Sequence, residues 1–202
     1  MPTERLQDHS PHDWLSPEYV QNWVANDITK DEERRPILTE MLNMARLDPD
    51  KPIRVLDIGA GYGFVTGAVL EKFPYATVTL QDYSAPMLEH AGRRLAEHEA
   101  AVRFVCSDLR EPAWTDSVGG PYDLAVSAIA IHTIGGRQHM AQVYRSLYGL
   151  LAPGGVLLNC DYDYTAPSEM HEEWLREAGF DQVKARPAGR EHLFILCGRT
   201  PS

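Results

Sequence analysis

The chain predicts an α/β fold: a doubly wound, mostly parallel sheet of seven strands with helices on both faces. Three observations carry this. A short apolar run at residues 55–66 ends in one acid and a glycine-rich turn, strand-like and helix-like segments alternate beyond it, and residues 122–131 are apolar almost throughout. An apolar run of that kind suits a parallel strand buried on both faces.

Residues 55–66 read VLDIGAGYGFVT. The strand should stop at Asp57, the turn should pass through Gly59, Gly61 and Gly63, and a helix should follow, carrying Val65, Ala68, Val69 and Phe73. A turn without side chains lets a ligand lie against the backbone, and the start of a helix favours an anionic group. A charged, nucleotide-like molecule is the natural occupant. Dinucleotide sites usually read GxGxxG/A, whereas here the third glycine comes one residue early and Phe64 stands where the last small residue would be.

Upstream, residues 1–14 are polar and read as frayed. His9 and His12 lie three apart, but without helical periodicity or further ligands no metal is expected. Ser16, Pro17 and Glu18 signal a helix start, with Tyr19 and Trp23 one turn apart on it. A second helix over 31–46 carries Ile37, Leu38, Met41, Leu42 and Ala45, and its charge run 31–35 reads as a solvated start.

Downstream, residues 76–81 form a strand ending at Asp82, an acid placed to accept both hydroxyls of a ribose. Ser84 caps the next helix with Pro86 in its first turn, and Met87 either joins the core or lies on an adenine face. A third strand at 102–106 leads to Asp108 and Leu109, then to a polar loop over 111–121. The fourth strand runs from 122 to His132, followed by a helix at 138–151, a turn at 152–155 and a fifth strand at 156–160. A helix at 168–178 stops at Gly179, and strands at 181–186 and 192–199 close the sheet.

At 202 residues the chain reads as one globular unit with a core of its own. The net charge of −10 argues against a nucleic-acid partner, which would need clustered Lys and Arg. No apolar run is long enough to span a membrane and the first residues lack a signal peptide, so a cytoplasmic location is expected. Cys106, Cys160 and Cys197 all fall in strands and read as buried, reduced thiols.

The acid before the glycines, together with LAPGG at 151–155 ahead of the fifth strand, resembles the class I S-adenosylmethionine-dependent methyltransferases. Their first motif is commonly written (D/E)xGxGxG. The resemblance covers about residues 53–199 and implies a Rossmann-like sheet with an antiparallel last strand. It divides the chain into an N-terminal helical cap segment, 1–50, and a methyltransferase domain, 51–202. It implies S-adenosyl-L-methionine as cofactor and S-adenosyl-L-homocysteine as product. Gly59, Ala60 and Gly61 would give close backbone approach, and Asp57 would hold the methionine end. Asp82, Tyr83 and Met87 would meet the nucleoside, Asp108 and Leu109 the adenine, and Ser127 the sulfonium side.

For the acceptor, His132 is the candidate catalytic base or substrate contact, although it could equally hold a loop carbonyl. Trp14, Tyr19, Asp161 and Tyr162 are candidate substrate contacts; the last two would suit a cationic or aromatic acceptor or form a plain exit loop. Few residues separate strand five from the next helix, so the cleft should be open unless the N-terminal helices or a homodimer partner closes it. The implied activity is methyl transfer to a small molecule at O, N or C. A cofactor-binding protein that needs a partner, or an enzyme acting on a protein or tRNA, are the alternatives.

Overall fold

The computed structural model describes residues 12–202. Two helices open it, α1 (Pro17–Asp27) and α2 (Asp31–Asn43), joined by a single 3-10 turn. Ser16 caps α1 by accepting the amide N–H of Tyr19, with Pro17 in the first turn. Then follow β1 (Arg54–Ile58), α3 (Phe64–Lys72), β2 (Thr77–Asp82), α4 (Ala85–Arg94) and β3 (Val102–Cys106). The second half comprises α5 (Trp114–Val118), β4 (Tyr122–Ala128), α6 (Arg137–Leu150), β5 (Leu151–Tyr162), α7 (Ser168–Ala178), β6 (Asp181–Pro187) and β7 (Leu193–Arg199).

The strands form one seven-stranded sheet in the order β3-β2-β1-β4-β5-β7-β6. Pairing is parallel from β3 to β5, and β7 runs antiparallel to both of its neighbours. The sheet separates two apolar layers. On one side Val20, Leu38, Met41, Val69 and Leu88 from α1 to α4 pack on Val55, Leu80 and Val126. On the other, Trp114, Met140, Tyr144, Leu147 and Leu175 from α5 to α7 pack on Leu56, Ile58 and Leu157.

Chain order reverses between β1 and β4, and doubly wound sheets bind ligands at the carboxyl ends of strands at such a point. Ile58 stands level with Gln81 and Ser127, and Ser127 with Asn159. The next residues along the strands, Gly59, Asp82, Ala128 and Cys160, therefore share one edge.

Four expectations need correction. The fourth strand does not run to His132: it ends at Ala128, Ile129 takes φ +55°, and Ile131–Thr133 form a 3-10 turn. The apolar run there serves to sink Ile131, which is fully buried, beneath that turn. The polar loop over 111–121 contains the short helix α5, which buries Trp114 and Val118. The charge run 31–35 is not simply solvated, because the side chains of Asp31 and Arg34 are only 13 % and 19 % exposed. Of the three cysteines Cys160 is buried and Cys197 partly so, but Cys106 is exposed at the end of the edge strand β3.

Candidate functional site

A cavity of about 350 Å³ opens at this edge. Its floor is the turn after β1. Gly59 sits at φ +60°, and a Cβ there would lie 2.4 Å from the Cβ of Ala130, so only glycine lets the turn pass beneath the β4 exit. Gly61, at φ +53°, has nothing within 4 Å of the place a Cβ would take. That bare stretch of backbone lines the cavity.

The acid at the end of β2 is built into the same turn. One oxygen of Asp82 accepts the Gly61 N–H at 2.8 Å and the other accepts the Ser84 N–H at 2.8 Å. Burial pushes the carboxyl upward, and these backbone donors oppose the shift. Met87, fixed by the Ser84 cap, and Tyr83 stand beside it in the cavity wall. Asp108 lines the cavity next to Leu109, with its carboxylate forked by Arg110 at 2.6–3.0 Å. The Arg110 pairing holds Asp108 below the usual carboxylate range.

Asp57 lies behind the turn, fully buried. Its Oδ2 accepts the Thr66 hydroxyl at 2.6 Å, while Oδ1 has no partner. Burial, opposed by Thr66 and reinforced by Asp82, pushes its carboxyl up to about 7. Ser127 is fully buried too and donates to the Ile58 carbonyl at 3.0 Å, pinning β4 to β1. Neither side chain lines the cavity; its wall on that side is formed by Ala128, Ile129 and Ala130.

His132 also lines the cavity. Its Nδ1 meets Asp161 Oδ1 at 2.5 Å, and its amide N–H donates to Asp161 Oδ2 at 3.0 Å. With a carboxylate accepting from Nδ1–H, the lone pair falls on Nε2. Asp161 itself is fully buried, accepts the Tyr162 N–H as well, and is not in the cavity wall. Tyr162 stacks on Tyr164 with centroids 5.0 Å apart and also stands outside the wall. The structure thus brings His132 to the cavity and puts Asp161 behind it as the group that orients the ring.

The N-terminal segment and its helices add to the wall. Trp14 lines the cavity, its carbonyl accepts the Ser84 hydroxyl, and its ring meets Trp23 edge-on at 5.0 Å. Tyr19 packs against Trp14 and His12 without lining the cavity. Trp23, read in the sequence as one turn from Tyr19, lines the cavity, and so do residues not singled out there: Asp27, Arg34, Tyr62, Arg110 and Arg190. Arg34 had a signal, because Asp31, Arg34, Leu38 and Met41 recur on one helical face. The metal reading at His9 falls outside the described residues, among which no cluster of three or more potential ligands occurs.

The residues present fit S-adenosylmethionine. Gly61 leaves backbone open to a ligand, a buried carboxylate oxygen of Asp57 lacks a partner beneath the turn, and Asp82 reaches the cavity from the next strand.

This fold defines a doubly wound α/β protein with a cavity over a glycine turn at the switch point of its sheet, where Asp82 and Asp108 line the wall. The family model described as "Methyltransferase domain" matches residues 55–155, half of the chain, and the chain belongs to the class I S-adenosylmethionine-dependent methyltransferase family. It is 34% identical over 146 residues to trans-aconitate 2-methyltransferase of Paracidovorax citrulli, covering 72% of this chain and 49% of that one. It is 28% identical over 138 residues to malonyl-[acyl-carrier protein] O-methyltransferase of Acetivibrio thermocellus, covering 68% and 46%. The chain thus spans about half the length of the curated relatives it matches. In fold it is similar to an O-methyltransferase family protein from Burkholderia thailandensis, with TM-score 0.72, 18% identity and 95% and 61% of the two chains covered. It is also similar to an S-adenosylmethionine-dependent methyltransferase from Clostridium acetobutylicum, with TM-score 0.70, 12% identity and 90% and 99% covered.

Proposed function

We propose that the chain transfers a methyl group from S-adenosylmethionine to a small-molecule acceptor by in-line displacement. The observation that supports this most is one cavity running from the glycine turn and Asp82 to the free edge of His132. Of the similar proteins named above, the trans-aconitate 2-methyltransferase supports a small acceptor.

In this reading residues 51–202 form the cofactor domain and residues 1–50 its cap. Gly59, Ala60 and Gly61 receive the amino-acid tail along their backbone, with Asp57 beneath them. Asp82 accepts the ribose hydroxyls beside Tyr83 and Met87, Asp108 and Leu109 receive the adenine, and Ser127 keeps β4 at the sulfonium side. When bound, the cofactor supplies a methyl carbon activated by positive sulfur, which departs as a neutral thioether.

The work left to the protein is alignment and exclusion of water, and alignment alone can supply about 7–11 kcal/mol of barrier lowering. Trp14, Trp23 and Leu38 keep the acceptor end dry. His132 Nε2, with Asp161 behind Nδ1, takes the proton of an acceptor that arrives protonated. The test is incubation with methyl-labelled cofactor and a panel of amines, phenols and carboxylates, with His132→Ala alongside. Label transfer to one acceptor class supports the reading. Cofactor binding with no transfer to any of them would refute it.

A further inference from the structure

Gln81 occupies the penultimate position of β2, beside Asp82, and lines the cavity although it is almost wholly buried. Its register partners are Ile58 on β1 and Val105 on β3. It therefore lies between the strand exits that lead to the glycine turn and to the loop of Ser107, Asp108 and Leu109. β1 and β3 do not pair with each other: β2 stands between them, so their exits are two strand spacings, about 9–10 Å, apart. A side chain of β2 is placed to span that gap.

The Gln81 amide spans it. On the β1 side its Oε1 accepts the Gly59 N–H at 3.3 Å, and on the β3 side its Nε2 donates to the Ser107 carbonyl. The backbone supports both ends: the Gln81 carbonyl accepts the Ala60 N–H at 3.0 Å, and the Ser107 N–H donates to the Asp82 carbonyl at 3.0 Å. One side of the gap needs an acceptor and the other a donor, which a carboxamide supplies and an ionised or apolar chain does not. Both partners adjoin residues of the cavity wall. Gly59 opens the turn through Ala60 and Gly61, and Ser107 precedes Asp108 and Leu109.

Resting on the cofactor reading above, we propose that Gln81 is a positioning residue that fixes the spacing between the turn receiving the amino-acid tail and the loop receiving the adenine. A ligand carrying both groups is then met by both halves of the site already in place, without the cost of bringing them into register. A ligand carrying only the nucleoside uses one half and gains little from the bridge. Gln81 thereby favours the complete cofactor over its truncated nucleosides.

Calorimetry tests this with S-adenosylhomocysteine against 5′-methylthioadenosine, which keeps the nucleoside and the sulfur but lacks the amino-acid tail. Gln81→Met keeps the length of the side chain and loses both bonds. Gln81→Asn keeps both groups but falls one methylene short of spanning the gap. Thermal unfolding of the same samples reports on the fold. Gln81→Met should weaken S-adenosylhomocysteine by at least about tenfold and methylthioadenosine by less than about threefold, and Gln81→Asn should show the same bias at smaller size. A purely structural role would lower the melting temperature and weaken both ligands in step. Equal losses for the two ligands, or unchanged S-adenosylhomocysteine affinity in a folded variant, would overturn the proposal. Should Gln81→Met not fold, the same comparison in Gln81→Asn decides. Failure of the wild type to bind S-adenosylhomocysteine would instead sink the cofactor reading, and the role of Gln81 with it.

Discussion

Replacing Gly59 and Gly61 separately by alanine should split stability from ligand affinity. Both residues have positive φ, +60° and +53°, so a Cβ at either costs about 1–2 kcal/mol in backbone strain. Beyond that they differ. At Gly61 the new methyl meets no atom within 4 Å and enters the cavity. At Gly59 it arrives 2.4 Å from Ala130 Cβ, and the segment leading to His132 must shift, which adds about 1–3 kcal/mol of overpacking. Gly61→Ala should therefore lower the melting temperature by about 2–8 °C, and Gly59→Ala by roughly twice as much, at 2–4 °C per kcal/mol for a chain of this size. Affinity should follow another order. The Gly61 methyl occupies space against which the ligand would lie, so S-adenosylhomocysteine binding should weaken by at least about tenfold, or 1.4 kcal/mol. Thermal unfolding and calorimetry on the same preparations measure both quantities. If Gly61→Ala binds S-adenosylhomocysteine like the wild type while remaining folded, the ligand does not run along this turn and the argument fails.

Asp82→Ala removes an acceptor for two backbone N–H groups and, in the proposed reading, for the ribose, so cofactor affinity should fall by about 1.5–3 kcal/mol by calorimetry. His132→Ala should leave that affinity alone and slow turnover by about 10²–10⁴ for acceptors that arrive protonated, but far less for ionised carboxylates, as steady-state kinetics would record. Stability should bend oppositely with pH at two buried groups. Burial pushes His171 down to about 4 from 6.5, so below pH 6.5 the unfolded chain takes up a proton that the fold refuses, and stability drops as pH falls toward 4. Asp57 is pushed up to about 7 from 3.8, so the fold keeps a proton that the unfolded chain releases, and its contribution falls as pH rises from about 4 to 7. Urea unfolding from pH 4 to 8 should show the first slope flattened in His171→Gln and the second in Asp57→Asn.

Much of the architecture was legible because local chemistry and long-range packing agree. Ser16 and Ser84 cap the helices they announce, and Gly179 ends α7 where the pattern stops. The run 128–134 misled because it leads into a 3-10 turn that buries Ile131 rather than continuing the strand, and period alone cannot tell the two apart. Gly59, Asp82 and Asp108 could be brought to one cavity from the sequence because they follow strand ends at fixed offsets. The rest of the wall could not, since it assembles from positions far apart in the chain. Arg34 and Arg190 are separated by most of the sheet in sequence, and Asp161 reads as a ligand contact until its two oxygens are seen to be taken up by His132 and Tyr162. His171 was missed altogether, although it shares a face of α7 with Leu175 and meets Tyr144 at 2.7 Å.

Strand β7 is synthesised after β6, yet it lies inside it, between β6 and β5 in the sheet. While a nascent chain has emerged only as far as residue 187, the rim of β5 that β7 covers offers unpaired amides and carbonyls. Such an edge invites β-pairing with strangers. The sheet therefore closes on this side only once the β6–β7 hairpin is complete.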